Sequence, residues 1–304
     1  QIDIQESRAA LLAVKELCGG FTMVSMTFDE TGHSLNGTTP EAMAVTLESL
    51  GADVVGVNCS TGPKEMLDVI RRIRQVVQIP VMAKPNAGMP VIKENETVFP
   101  MGADAFSTFA EPFAEAGVNI MGGCCGTTPK HIAKLARGMK GIMPLERKPV
   151  DKAMLSSATQ VLITGSNTPI RIIGERINPT GKKILQAELK AANMGYVRKL
   201  ARDQAAAGAD LLDINAGMPG IDEKQTLLDI ISSVVPVVNL PLVIDSSDPA
   251  VVEAAVRYYP GRALINSISA EKEKLDKLLP VAAKYGAMLI VLPLADNELP
   301  DKAE

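Results

Sequence analysis

The sequence predicts an α/β protein made of two successive series of strand–helix units with parallel strands. Short β-branched or apolar runs alternate with longer helical patterns through most of the 304 residues. Such alternation needs crossovers, and crossovers bring strands in parallel. The rhythm breaks once, between Gly138 and Thr168, where Pro144, Lys148, Pro149, Asp151, Lys152, Ser156, Ser157 and Ser166 gather. That is the composition of an inter-domain linker. The tripeptide Gly-Ala-Asp then opens a strand in each series, at Gly51 and at Gly208, with the glycine closing the helix before it.

In the first series the expected strands are Phe21–Phe28, Asp53–Cys59, Pro80–Pro85 and Val118–Met121, with helices over Pro40–Leu50, Lys64–Val77, Ala105–Ala116 and His131–Arg137. In the second they are Ile170–Ile173, Leu211–Asn215, Leu242–Asp245, Ala263–Asn266 and Met288–Leu292, with helices over Gln186–Ala207, Glu223–Val234, Pro249–Tyr258 and Lys272–Lys284. The boundaries follow: a first domain over residues 1–140, a linker over 141–168 and a second domain over 169–304. The echo between the series favours two similar barrels over one doubly wound sheet, the alternative. No glycine-rich dinucleotide fingerprint follows any strand. A complete (β/α)8 barrel of the TIM type needs eight strands and roughly 250 residues. Four strands and five are therefore expected to be the C-terminal half of one barrel and the N-terminal half of another. Open sheet edges would make such a chain unstable and inactive by itself.

Hydrophobic residues at 46% and charged residues at 22% specify a folded core rather than disorder. A net charge of -4 without a basic tract argues against nucleic acid as a partner. No apolar run approaches the ~20 residues of a membrane helix, and Gln1–Gly19 mixes charges where a signal peptide needs an apolar core. Four cysteines in such a chain point to metal binding or catalysis rather than a disulfide scaffold, and the cytoplasm is the expected compartment.

Cys59 ends the run Asp53–Asn58, and Cys124 and Cys125 follow Val118–Met121 across Gly122-Gly123. All three fall at C-terminal strand ends, which converge on one face of a parallel barrel. Three thiolates around zinc leave one tetrahedral position open, the catalytic pattern, and a thiol filling it would be deprotonated. The alternative is small buried core cysteines. Cys18 lacks a strand-end setting, His131 reads as a helix-surface residue and His33 as a solvated loop residue.

The second series carries polar groups at its strand ends. Glu175 and Asn178 follow the first strand; Asp213 and Asn215 end the second, Asp245 the third and Asn266 the fourth. Carboxylates and amides together can bind the flat donor–acceptor edge of an aminopyrimidine, as in a pterin. The alternative is helix capping and turn formation, which is preferred for Asp248 before Pro249.

Gly56-Val57-Asn58-Cys59-Ser60-Thr61-Gly62-Pro63, with Gly122-Gly123-Cys124-Cys125-Gly126-Thr127-Thr128-Pro129, resembles the zinc motif of homocysteine S-methyltransferase domains, and the likeness extends over roughly Gln1–Gly138. It implies that Cys59, Cys124 and Cys125 hold zinc, with homocysteine sulfur as fourth ligand. The first half of that family's barrel has no counterpart here. Ile170–Pro293 resembles the pterin-binding domains of methyltetrahydrofolate methyltransferases, most closely over Gly174–Lys183 and at Asp213-Ile214-Asn215, Ile244-Asp245-Ser246 and Ile265–Ser269. That implies a pterin site of Glu175, Asn178, Asp213, Asn215, Asp245 and Asn266, with Asn266 the catalytic contact near N5. The module order is similar to that of cobalamin-dependent folate–homocysteine methyltransferases. It implies methyl transfer from 5-methyltetrahydrofolate through cob(I)alamin to zinc-bound homocysteine, yielding methionine and tetrahydrofolate, with cobalamin carried by a domain that this chain does not contain. Two other readings are a bifunctional homocysteine S-methyltransferase/methylenetetrahydrofolate reductase, which would place a flavin barrel second, and a non-catalytic zinc-binding fragment.

Overall fold

A computed structural model describes residues 1–146 and 152–294. Lys148, Pro149 and Asp151 of the expected linker, and residues 295–304 of the expected second domain, lie outside the described residues. The chain divides into two compact units, Gln1–Asp151 and Lys152–Glu304.

The first unit runs α1 (Ile4–Leu17), β1 (Met23–Met26), α2 (Pro40–Ser49), β2 (Val54–Asn58), α3 (Pro63–Arg74), β3 (Val81–Lys84), β4 (Val91–Lys93), β5 (Glu96–Val98), α4 (Ala103–Ser107), α5 (Ala110–Glu115), β6 (Ile120–Met121) and α6 (Pro129–Gly138). Its main sheet is parallel in the order β1-β2-β3-β6, while β4 and β5 form an antiparallel hairpin. Proline at the first position starts α2, α3 and α6, where its missing N–H costs no hydrogen bond. One face of α3 buries Met66, Ile70 and Ile73, and its last turn carries Arg71, Arg72 and Arg74, which suit the negative end of the helix dipole.

Register fixes what each face of this sheet carries. Met121 packs on the helical cluster of Phe106, Ala110 and Leu135. Side chains alternate along a strand, so Ile120 lies on the opposite, open face. Met82 pairs with Ile120, Gly56 with Met82, Ser25 with Gly56, and Asn58 with Lys84. The open face therefore carries Ser25, Asn58 and Lys84 toward its C-terminal edge.

The second unit runs β7 (Ala153–Ser156), β8 (Val161–Thr164), β9 (Ile173–Ile177), α7 (Lys183–Lys190), α8 (Gly195–Ala206), β10 (Leu211–Asn215), α9 (Glu223–Val234), β11 (Leu242–Asp245), α10 (Pro249–Tyr258), β12 (Leu264–Ser269), α11 (Lys272–Tyr285) and β13 (Met288–Leu292). Its main sheet is parallel in the order β13-β12-β11-β10-β9. Both main sheets follow chain order without reversal, so neither has the switch point of a doubly wound sheet.

Several elements differ from the sequence reading. Residues 4–17 form a helix that the mixed charges had hidden; Asp3 caps it by accepting from the Glu6 N–H. The strand expected at Ile170–Ile173 begins only at Ile173, so Glu175 lies inside β9 rather than after it. Likewise β12 continues to Ser269, past Asn266. The helix expected over Gln186–Ala207 is two helices, parted where Ala192 adopts a positive φ of 52° and the Asn193 side chain accepts from the Gly195 N–H. Ala105–Ala116 likewise divides into α4 and α5. Part of the expected linker is an antiparallel hairpin, β7–β8. It belongs to the second unit because Leu155 and Leu162 pack against Leu211, Val243 and Leu264.

Buried Tyr259 ties that hairpin to the sheet: its hydroxyl donates to the Ser156 carbonyl at 3.0 Å and accepts from the Leu242 N–H at 3.2 Å. Tyr259→Phe leaves both backbone groups buried without this partner. It is expected to lower unfolding stability by about 1–3 kcal/mol in denaturant titration; a loss below a few tenths would show that the hairpin is not anchored there.

Candidate functional site

Cys59 lies directly after β2, and Cys124 and Cys125 follow β6. Parallel pairing of β2, β3 and β6 brings the two loops to one edge. The Cys59 N–H donates to the Lys84 carbonyl, the Cys124 N–H to the Pro85 carbonyl, and the Ala87 N–H to the Cys125 carbonyl. The loop after β3 thus serves as a spacer between the cysteine loops. Cys59 and Ser60 both adopt left-handed backbone, with φ of 61° and 59°. Such conformations cost of order 1–3 kcal/mol each in a non-glycine residue and persist only where the surroundings enforce them. Here the Thr61 N–H closes onto the Cys59 carbonyl at 2.7 Å, and the Asn86 N–H holds the Thr61 carbonyl. Gly126, with φ of 77°, turns the other loop against the Phe99 ring, where a Cβ would come within 2.3 Å of a ring-bearing carbon.

The three sulfurs lie within 4.8 Å of one another. Cys59 and Cys125 sulfurs are 3.6 Å apart, and Cys124 and Cys125 sulfurs 3.9 Å. Two thiolates bound to one tetrahedral zinc at ~2.3 Å stand roughly 3.8 Å apart. The set therefore fits an ion of that size. Burial pushes the Cys59 thiol up, but hydrogen bonds from the Ser60 N–H, Cys125, Cys124 and Asn86 outweigh it and bring it below its ordinary value. Cys125 is raised to about 11, mainly because it donates to Cys59, with burial and Cys124 adding. Deprotonation of one thiol thus hinders the others unless a cation shares the site.

Asn86 is a member of this site that the sequence reading missed. It is buried, its Oδ1 accepts from the Cys125 N–H at 3.1 Å, and its side chain supports the Cys59 sulfur. The signal was available in Pro85-Asn86-Ala87-Gly88, a turn-rich stretch directly after β3. His131, expected on a helix surface, is instead buried. Its Nδ1 caps α6 at Thr128, its Nε2 meets the Met101 carbonyl at 2.9 Å, and its ring stands edge-on to Phe106. Cys18 is exposed and unbridged; His33 lies exposed in the turn after β1, where its N–H donates to Asp29.

In the second unit, Asn215, Asp245 and Asn266 are register partners across β10, β11 and β12. Asn215 donates to Asp245 and Asn266 donates to Asp213, both at 2.9 Å. Glu175 accepts from Asn178 at 2.7 Å. Burial raises the Asp213 carboxyl to about 6, with the negative charges of Asp245 and Glu175 adding and the Asn266 donor opposing. Asp245 is raised by burial too, against its hydrogen bond from Asn215. The charges of Glu175, Asp213 and Asp245 thus act on one another, and all six expected residues join one connected polar group. Asp213 Oδ1 is buried with no partner among the described residues. A buried carboxylate oxygen with spare acceptor capacity is a place for a ligand N–H. Asp248 caps α10 by accepting from the Ala250 N–H, as expected.

Residues 1–139 match the homocysteine S-methyltransferase family model and residues 174–302 the pterin binding enzyme model. Methionine synthase of Mycobacterium tuberculosis is 32% identical over 278 residues, an alignment covering 90% of this chain and 23% of that protein. The Mycobacterium leprae methionine synthase is 32% identical over 285 residues, covering 90% and 24%. The chain thus resembles a stretch of these methionine synthases, with a homocysteine S-methyltransferase match followed by a pterin-binding match. It spans about a quarter of the length of these relatives. Among solved structures, the carboxyl transferase domain of Rhizobium etli pyruvate carboxylase aligns at 11% identity and a TM-score of 0.27, covering 88% of this chain and 42% of that one. The cysteine set falls within the homocysteine S-methyltransferase match and the carboxylate–amide set within the pterin-binding match.

The raised Asp213 carboxyl has a consequence for stability. Its folded value of about 6 exceeds the ordinary 3.8, so folding favours the protonated form. The stabilisation is complete below the unfolded value and is lost as pH rises through 6, a swing of roughly 3 kcal/mol. In ligand-free denaturation, Asp213→Asn is expected to gain stability relative to wild type by up to that amount between pH 4 and pH 7. An unchanged difference across this window would show that Asp213 is not held protonated.

Proposed function

We propose that the chain carries the thiol-activating and pterin-binding parts of a methyltransferase of methionine biosynthesis. The overall reaction moves the N5 methyl group of 5-methyltetrahydrofolate to homocysteine, with cobalamin as the methyl carrier between the sites. The N5–CH3 bond breaks, an S–CH3 bond forms, and the thiol proton balances the charge on the departing pterin, giving methionine and tetrahydrofolate. The domain assignment is a homocysteine-binding zinc domain over residues 1–140, a connecting segment over 141–168 whose hairpin β7–β8 packs on the second unit, and a pterin-binding domain over 169–304. Each domain is read as part of a (β/α)8 barrel, the C-terminal half and the N-terminal half in turn. The unreversed parallel strand order in each sheet supports this. None of these residues is assigned to cobalamin, and its binding is proposed to fall to another domain of the protein.

The observation that carries the proposal is the meeting of Cys59, Cys124 and Cys125 at strand ends. Zinc, when bound, would supply Lewis-acid stabilisation of a substrate thiolate at neutral pH. Cys59, Cys124 and Cys125 would hold it, and Asn86 would hold the two cysteine loops together through the Cys125 N–H and the Cys59 sulfur. In the second domain, Asp213 and Asp245 would accept N–H groups of the pterin edge. Asn178 and Asn215 shape the neighbouring loops by accepting from the Thr180 and Gly217 N–H groups, and Glu175 and Asn266 would complete the site. Asn266 is assigned the catalytic contact near N5. The family match of the second part to pterin-binding enzymes weighs against a flavin-dependent reductase in that place. No helix among the described residues is long and apolar enough to cross a membrane. A site built on free thiols needs a reducing compartment, and we place the protein in the cytoplasm.

Metal analysis of the purified chain is expected to return one zinc per chain, and Cys59→Ala to lose stoichiometric zinc. Wild-type occupancy in that variant would remove Cys59 from the site. Independently, Asp245→Ala is expected to weaken 5-methyltetrahydrofolate binding about tenfold or more in calorimetry, as for loss of a charged hydrogen bond, without changing zinc content. Unaltered folate affinity would sink the pterin assignment.

A further inference from the structure

The open face of the first sheet holds a cation that the cysteine site does not use. Ser25, Asn58 and Lys84 lie side by side on β1, β2 and β3, through the pairings of Ser25 with Gly56 and of Asn58 with Lys84. Cys59 is the next residue after Asn58, and its N–H donates to the Lys84 carbonyl. On the other flank, the Lys84 stem lies over Gly122, where an added Cβ would sit 3.4 Å from Lys84 Cγ. Lys84 thus stands between the loop carrying Cys59 and the loop carrying Cys124 and Cys125.

Its ammonium makes no hydrogen bond or ion pair among the described residues, and the residue is only half-buried. Ser25 and Asn58 bring no carboxylate to neutralise it. The Asn58 amide is oriented as well: its Oδ1 accepts from the Ser25 hydroxyl at 2.7 Å, which leaves its N–H donors without a partner among the described residues. A half-buried, unneutralised cation beside free amide donors is a receptor for a carboxylate.

We infer that Lys84, assisted by Asn58, binds the α-carboxylate of the amino-acid thiol whose sulfur meets the cysteine cluster. The inference rests on the thiol-site reading above. Three carbon atoms separate the sulfur of homocysteine from its carboxyl carbon, and four methylenes carry the lysine charge, so one substrate can span the two anchors. Lys84 would then be a specificity residue that selects an amino acid over a simple thiol and fixes its sulfur toward the metal position. It takes no part in bond making.

The test is calorimetric binding to the zinc-loaded chain of two thiols that differ only in the carboxylate, homocysteine and 3-aminopropane-1-thiol. Wild type is expected to prefer homocysteine by about tenfold or more, Lys84→Met to erase that preference while keeping its zinc, and Lys84→Arg to retain most of it. Equal affinity of wild type for the two thiols would overturn the role of Lys84 while leaving the thiol site standing, and needs no variant to be seen. A Lys84→Met protein with the wild-type preference would overturn it as well. Binding of neither thiol to wild type would fell the thiol site itself, and the inference with it.

Discussion

Parallel pairing in near-continuous register is the constraint on which both sites depend. A β-strand offers its side chains alternately to two faces, and a parallel neighbour repeats the choice at the same height. When every strand of a sheet points the same way, the loops that follow them gather at one edge. In the first unit that edge receives Cys59 from β2 and Cys124 and Cys125 from β6, although 66 residues separate Cys59 from Cys125. In the second it receives Asn215, Asp245 and Asn266 as register partners on adjacent strands. Helices cover one face of the first sheet and leave Ser25, Asn58 and Lys84 on the other.

The two sites use this common scaffold in different ways. The thiol site gathers groups that repel one another once ionised, and it holds them with left-handed backbone at Cys59 and Ser60 and with buried Asn86. Its arrangement suits a cation. The second site gathers Asp213 and Asp245 in a largely buried setting with exposed Glu175 beside them, and each is paired with an amide: Asp213 with Asn266, Asp245 with Asn215 and Glu175 with Asn178. The amides offset part of the desolvation cost, and Asp213 still keeps one oxygen unpartnered. Its arrangement suits a neutral or weakly acidic ligand rich in N–H groups.

Much of this was legible in the sequence, for physical reasons that also explain the misses. Strands β10 and β11 were found at their observed bounds because central parallel strands are continuous apolar runs, and β13, at one edge of the sheet, because all five of its residues are apolar. β9 was placed too early. Ile170 and Ile172 look like strand residues but are 93% and 57% exposed, while β9 itself, at the end of its sheet, carries Glu175 and Arg176. The glycine and two charged residues inside β9 break the apolar run that marks the other strands. The β4–β5 hairpin has strands of three residues each and turns at Glu94-Asn95 with positive φ, too short for periodicity to register. The cysteines were recognisable by residue type at strand ends. Asn86 and His131 were not, because each acts by a contact with residues distant in sequence, the Cys125 N–H and the Met101 carbonyl. Such contacts leave no local pattern.

In the function we propose, Cys59, Cys124 and Cys125 form one metal-thiolate site whose remaining position takes the substrate sulfur. X-ray absorption at the zinc edge of the metal-loaded chain addresses it without relying on turnover. Three sulfur neighbours at ~2.3 Å are expected, rising to four when homocysteine is added. Fewer than three sulfurs in the absence of substrate, or a sulfur count that does not change with homocysteine, would contradict it.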